Sequence, residues 1–298
     1  MNLNHLNIFY AVAEEGSVSR GAGRLCISQP AVSKQLAEFE RALGAPLFDR
    51  LPRGVRLTEA GRLLHLSARR LFAIEADAER SLRELRGLEQ GRLAIGASTS
   101  IGAYLLPPIL AAFYRAYPRV ELHLQISNTE IIQDALEAGA LDVGFTEGLL
   151  PFEGLDATVC QEDELVFIAA PGYAPLAQEP GALTLKRVCA EPLLIREAGS
   201  GTRAVVAQAL EKRGITVRPA MTLGNTEAIK RAVAEGVGVA VVSRLTIRNE
   251  VRAGQLVVLH LTDFTLRRPL HQLRVHGRHP SSSLQAFLNL FHATLQGG

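Results

Sequence analysis

Residues 17–50 read SVSRGAGRLCISQPAVSKQLAEFERALGAPLFDR, and few folds accommodate that string. Ser17 is a natural cap for a short helix that Leu25 closes. Ile27 and Ser28 form a turn, and Ser28 caps a second helix. Pro30 lies in that helix's first turn, where a missing N–H costs least. Val32, Leu36, Phe39 and Leu43 recur at three- and four-residue steps and make one apolar stripe. Gln29, Ser33, Lys34 and Gln35 occupy the other face, short polar and basic groups suited to phosphates and base edges. The pattern is that of a helix-turn-helix whose second helix enters a DNA major groove. By pattern alone, an ordinary helical hairpin with a polar face stays open. On DNA, Gln29, Ser33 and Lys34 are candidates for bases or phosphates. Pro30 and Ala31 are placed for thymine methyls, and Arg53 for the backbone.

The flanking segments support this reading. Residues 4–14 form an opening helix with Leu6, Phe9, Tyr10, Val12 and Ala13 on its apolar side. Residues 47–57 read as a hairpin turned by Pro52 and Gly54, and Arg50, Arg53 and Arg56 make it a basic wing. Thr58 caps a long helix to about residue 87. Leu57, Ala60, Leu64, Leu71, Ile74, Ala78, Leu82 and Leu85 line a heptad-like seam along it, which asks for a second copy of the chain. Packing of that seam on the chain's own C-terminal domain is the alternative. Gly87 and Gly91 mark a linker.

From Arg92 strands and helices alternate, which predicts parallel sheets covered by helices. Strands are expected at 93–97, 120–126, 141–146, 165–170, 193–196, 237–242, 256–261 and 270–276. Helices are expected at 105–116, 130–138, 202–213, 227–235 and 283–295, with a Ser/Thr turn before the first. The run reads best as two α/β lobes, about 92–162 plus 267–298 and about 163–266. The domain division is therefore 1–58, 59–90 and 91–298.

The run Leu25, Ser28-Gln29-Pro30-Ala31-Val32-Ser33, Glu40, Leu43-Gly44, Leu47-Phe48 and Arg50 resembles the LysR-type family of bacterial transcriptional regulators. The match spans about the first 60 residues. Gly21 and Gly23 depart from it, standing where helix-favouring residues are usual, and each costs about 1 kcal/mol relative to alanine. The resemblance implies a winged helix-turn-helix followed by a two-lobed, periplasmic-binding-protein-like type II α/β domain. It also implies operator DNA, a small-molecule effector, RNA polymerase and a second copy, as homodimer or homotetramer, for partners.

Open α/β sheets bind ligands beyond the carboxyl ends of their strands. There the chain places Ser98, Thr99 and Ser100, then Thr146, then Ser200 and Thr202, with Asn225 opening another helix. Each alone reads equally as a helix cap. The resemblance assigns Ser98, Thr99, Ser100, Thr146 and Thr202 to the cleft between the lobes, with Ser200 and Asn225 beside them. The expected effector is a small anion. Arg196 and Arg203 are candidate cations, but Arg196 reads equally as the partner of a carboxylate, Glu147 or Glu197. The stretch Gly199-Ser200-Gly201-Thr202-Arg203 resembles regulators of sulfur assimilation and carbon fixation within the family.

Composition narrows the classes. The formal net charge is +2 over 298 residues, so nucleic-acid contact must come from local basic clusters. Three cysteines, Cys26, Cys160 and Cys189, lie far apart, without metal-ligand spacing. They fit a reducing cytoplasm, and for Cys160 and Cys189 buried inert thiols are expected over a redox pair. A secretory signal and an apolar stretch long enough to span a bilayer are both missing, so no membrane partner is expected. Gly199-x-Gly201-x-x-Ala204 matches a dinucleotide fingerprint formally, but no acidic residue follows at the ribose distance. His260, His271, His276, His279 and His292 lack metal-site spacing. An enzyme has no nucleophile–base pair to support it, and a bare solute receptor has no use for the helix-turn-helix. No cofactor is expected.

Overall fold

The protein is described by a computed structural model covering residues 2–84, 91–149, 152, 154–173, 176 and 183–296. The chain divides into two units, Met1–Arg80 and Ser81–Gly298. In the first, helices α1 (Leu3–Glu15), α2 (Val18–Arg24) and α3 (Gln29–Leu43) precede a hairpin of β1 (Phe48–Arg50) and β2 (Val55–Leu57). Helix α4 (Glu59–Glu84) follows. Ser17, Ser28 and Thr58 accept hydrogen bonds from Arg20, Ala31 and Gly61, satisfying first-turn N–H groups. The turn pivots one residue earlier than expected, at Cys26, whose φ of 56° is left-handed.

Gly21 has a packing role that offsets its helix penalty. A Cβ there would sit 2.7 Å from a Val12 methyl, so glycine lets α2 close on α1. At Gly23 a Cβ would meet nothing within 4 Å, and no contact explains it. Leu6, Phe9, Val12, Val32, Leu36, Phe39 and Leu47 form the core of this unit. The α4 seam is corrected in part. Ala60, Leu64 and Leu71, with Ala68 and Phe72, pack on this same core and so are not free for a partner. Leu63, Leu66 and Ile74 are exposed instead, Ile74 by 69%. Leu85 and Gly87 lie outside the described residues, as does the side chain of Leu82.

The second unit opens on β3 (Gly91–Ser98), so Gly91 begins a strand, not a linker. Helix α5 (Thr99–Tyr104) starts directly from it, where a turn was expected, and α6 (Leu106–Ala116) follows across Leu105. Then come β4 (Val120–Ser127), α7 (Thr129–Glu137), β5 (Val143–Glu147) and β6 (Leu155–Ala169). The other lobe adds α8 (Leu185–Val188), β7 (Leu193–Arg196), α9 (Gly201–Glu211) and β8 (Pro219–Leu223). It continues through α10 (Thr226–Ala234), β9 (Val239–Ser243), α11 (Arg248–Arg252) and β10 (Val257–Leu259). The chain returns on β11 (Leu266–Val275) and closes with α12 (Ser282–Gln296).

The sheet is mixed, not parallel. Among the described residues it has nine strands in the order β4-β3-β5-β11-β6-β9-β7-β8, with β10 on β6. Strands β6 and β11 run antiparallel from Leu155↔Val275 to Leu165↔Leu266 and carry the chain between the lobes. Sequence reading shortened both, because residues 155–164 and 266–269 are rich in charge and largely lack apolar alternation. It also missed β8, an exposed edge strand that begins with proline. Phe113, Phe145, Phe287 and Phe291 fill one face of the first lobe, and Ile132, Leu136 and Phe152 the other. The second lobe is likewise filled on both faces.

Candidate DNA-binding face and effector cleft

Helix α3 presents Gln29, Pro30, Ser33 and Lys34 to solvent, with Ala31 half-buried. Its other side is held by Val32, Leu36 and Phe39. The Ser19 hydroxyl donates to Gln29 Oε1 at 2.9 Å, which fixes that amide at the start of the helix. Lys34 lies 4.0 Å from Glu38, an exposed pair too weak to sequester its charge. Gln35 is half-buried and accepts from Asn4 at 3.3 Å. Arg53 is exposed at the hairpin tip, while Arg56 pairs with Asp49 across it at 3.4 Å.

In the second unit the predicted hydroxyls divide. Ser98 ends β3 and donates to Glu147. Thr202, in the first turn of α9 on the opposite lobe, donates to the other Glu147 oxygen at 3.2 Å. Arg268 completes this cluster. Its Nη1 lies 3.1 Å from Glu147 and donates to Thr202 at 2.7 Å, and its Nε and Nη2 each reach Asp163 at 2.8 Å. The Ser243 hydroxyl donates to the second Asp163 oxygen at 2.7 Å. Burial pushes the Asp163 carboxyl above its ordinary range, against the pull of Arg268 and Ser243.

Thr99 meets Arg196 Nη2 at 3.5 Å, but Arg196 is otherwise committed to Glu197 at 2.7 Å and Thr226 at 3.0 Å. The structural reading of Arg196 therefore holds, with Glu197 as its carboxylate. Burial raises the Glu197 carboxyl, but the Arg196 hydrogen bonds and charge, a backbone N–H and the Asn128 amide together outweigh it and hold the group low. Ser100 is buried. Thr146 precedes Glu147 on β5 and so leaves the opposite face. It faces His271, paired with it in register, and neither side chain has a hydrogen-bond partner. Ser200 and Asn225 cap α9 and α10, accepting from Arg203 and Ala228, and Asn225 is exposed.

A clasp that the sequence did not reveal also joins the lobes. Tyr104 of α5 donates to Glu227 and accepts from Lys230 at 2.8 Å. Lys230 is buried, with Glu250 at 2.6 Å and the Thr246 carbonyl at 2.7 Å. Burial opposes its charge, but Glu227, Glu250 and Tyr104 prevail and hold the ammonium above its ordinary range. Burial pushes the Cys160 and Cys189 thiols up to about 11, which keeps both protonated and inert at neutral pH. Among the described residues no group of His, Cys, Asp and Glu could hold a metal ion, and no helix is long and apolar enough to cross a membrane.

The family model for the bacterial regulatory helix-turn-helix protein, lysR family, matches residues 3–62, and that for the LysR substrate binding domain matches residues 86–296. The chain belongs to the LysR family of transcriptional regulators. The Escherichia coli (strain K12) uncharacterized HTH-type transcriptional regulator YeiE is 35% identical over 289 residues, 97% of this chain and 96% of that protein. Among solved structures, the Synechocystis PCC6803 CcmR regulatory domain in complex with 2-PG is 30% identical. That match has a TM-score of 0.64 and covers 70% of this chain and 98% of that one. Full-length CbnR complexed with its target DNA has a TM-score of 0.66 at 21% identity, covering 100% of this chain and 99% of that one, a likeness of fold. This LysR-family chain is thus a DNA-binding transcriptional regulator with an effector-binding domain of periplasmic-binding-like α/β fold, and not an enzyme.

Proposed function

We propose that a small anion, bound between the two α/β lobes, controls this regulator's action at its operator. One observation carries the reading. Hydroxyls from opposite lobes, Ser98 and Thr202, converge with the Arg268 guanidinium on a single carboxylate, that of Glu147. This is the donor set of an oxyanion site, occupied by the protein's own acid. An effector anion competes with Glu147 for these donors, with Thr99 and Ser100 beside it, and so biases the lobe arrangement. The 2-PG held by the CcmR domain supports an anion of this size. Calorimetric titration of the full chain with 2-PG, sulfite, sulfate and phosphate tests this. One of them is expected to bind saturably, and Ser98→Ala or Thr202→Ala to weaken it about tenfold each, the value of one hydrogen bond to a charged group. Absence of binding by all four would overturn the anion reading and leave the family assignment intact.

At the operator, Gln29, Ser33 and Lys34 read bases or phosphates, Pro30 and Ala31 touch thymine methyls, and Arg53 lies on the backbone. The exposure of Gln29, Pro30, Ser33, Lys34 and Arg53 supports that role. Lys34→Ala and Arg53→Ala are each expected to weaken operator and random DNA about equally. Each should also lower the slope of log affinity against log salt by about 0.9. Fluorescence anisotropy across a salt series measures both quantities. An unchanged slope would remove that side chain from a phosphate, and selective loss of operator binding would place it on a base. The chain acts in the cytoplasm as a homodimer or homotetramer, which the exposed Leu63, Leu66 and Ile74 of α4 support. RNA polymerase is the partner this reading implies at the promoter.

A further inference from the structure

We propose that the second lobe carries another ligand site, a slot for a linear monocarboxylic acid with an apolar tail. This goes beyond the cleft reading above. A cavity of about 250 Å³ lies between α9 and β7, walled by Leu193, Ile195, Val206, Leu210 and Val217. The pocket is partly open to solvent, and pockets lined mainly by apolar side chains take apolar ligand groups. The slot therefore has room for a hydrocarbon group, and small hydrophilic oxyanions would gain nothing from these walls.

The polar part of the lining is Arg196, Thr202 and Arg203. Arg196 is already saturated by Glu197 and Thr226. Arg203 differs. It is half-buried and donates to the Arg196 carbonyl at 3.4 Å, and among the described residues it pairs with no carboxylate. A guanidinium in that condition keeps a fork of donors for a carboxylate. Apart from Arg196 and Arg203 the lining holds no cation, so a dicarboxylate would bury one charge unpaired. A guanidinium with donors to spare and aliphatic walls together fit a fatty acid of medium length.

Butanoate, hexanoate, octanoate, octanol and octylammonium titrated into the full-length protein, with 2-PG in parallel, test the slot. Octanoate is expected to bind saturably, each added methylene tightening binding about fourfold. Octanol and octylammonium should bind at least about tenfold more weakly, the worth of a charge-assisted hydrogen bond. Arg203→Gln should erase the preference for octanoate over octanol. Val206→Phe, which fills the slot, should abolish octanoate binding, and Val217→Phe does the same from the other wall should the first variant misfold. Absence of saturable octanoate binding, affinity independent of chain length, or octanoate retained in both filled variants would overturn the proposal. A protein that binds 2-PG but not octanoate rejects the slot and keeps the cleft reading; one that binds octanoate but none of 2-PG, sulfite, sulfate and phosphate keeps the slot and rejects the anion reading of the cleft.

Discussion

Arg268→Met is expected to destabilise the effector-binding unit by about 3–5 kcal/mol, the usual consequence of removing one partner from a buried ion pair. The Arg268 side chain has no exposed surface, and it is the cation for both Glu147 and Asp163, whose side chains are 3% and 1% exposed. Methionine keeps much of the stem's packing but strands two acids in a medium that solvates neither. Calorimetric unfolding of the full chain, followed through the transition of this unit, measures the loss. The same measurement on Arg268→Met combined with Asp163→Asn separates charge from packing, because neutralising one stranded acid should recover part of the deficit.

The pH dependence has a definite sign. The Asp163 carboxyl is raised in the folded state, so its favourable contribution is fully present below its unfolded value and is lost as pH rises through the folded one. Removing Arg268 raises it further. The deficit of Arg268→Met is therefore expected to shrink as pH falls from neutral into the ordinary carboxylate range. A deficit constant across that window would show that lost packing, not stranded charge, is what the substitution costs.

Gly201→Ala is the second substitution with a large expected effect. A Cβ at Gly201 would lie 1.9 Å from the Glu147 carbonyl oxygen and 2.7 Å from both the Glu147 carbonyl carbon and Thr129 Oγ1. Backbone atoms cannot swing aside as a side-chain end can, so α9 must withdraw from β5. Overpacking of this kind costs about 1–3 kcal/mol, and here it falls where the two lobes meet. The shift also pulls Thr202 away from Glu147, 3.2 Å distant in the structure. Lower thermal stability is expected together with at least about a tenfold loss of affinity for whichever of 2-PG, sulfite, sulfate and phosphate binds, since a hydrogen bond to a charged group is at stake. Binding to random DNA depends on the other unit and should be retained. Unchanged unfolding temperature and affinity would show that the close approach of α9 to β5 is not needed.

The helix-turn-helix was legible because its signals are local. Ser17 and Ser28 cap the next turn of their own helices, and the stripe Val32, Leu36, Phe39 repeats within one element. Periodicity said less about α4. It identifies an apolar face but not what covers it, and part of the expected seam packs on the chain's own core. The cleft was legible only in part. Hydroxyls at strand ends could be counted, yet caps and ligand donors look alike until partners are known. Ser98 and Thr202 meet across the lobes, whereas Asn225 caps α10.

Arg268 was missed altogether. It sits between Arg267 and Pro269, a string that reads as a solvated basic loop. Its burial follows from strand pairing, which sets Arg268 opposite Asp163 and Leu270 opposite Glu147. By itself the sequence determined the local helices and strands, the family and the candidate donors, since propensity, capping and periodicity act over a few residues. Only the tertiary structure decided which donors share an acid, because Asp163 and Arg268 stand 105 positions apart and meet through the antiparallel register of β6 and β11. Charge in a sequence has no burial until a sheet supplies it.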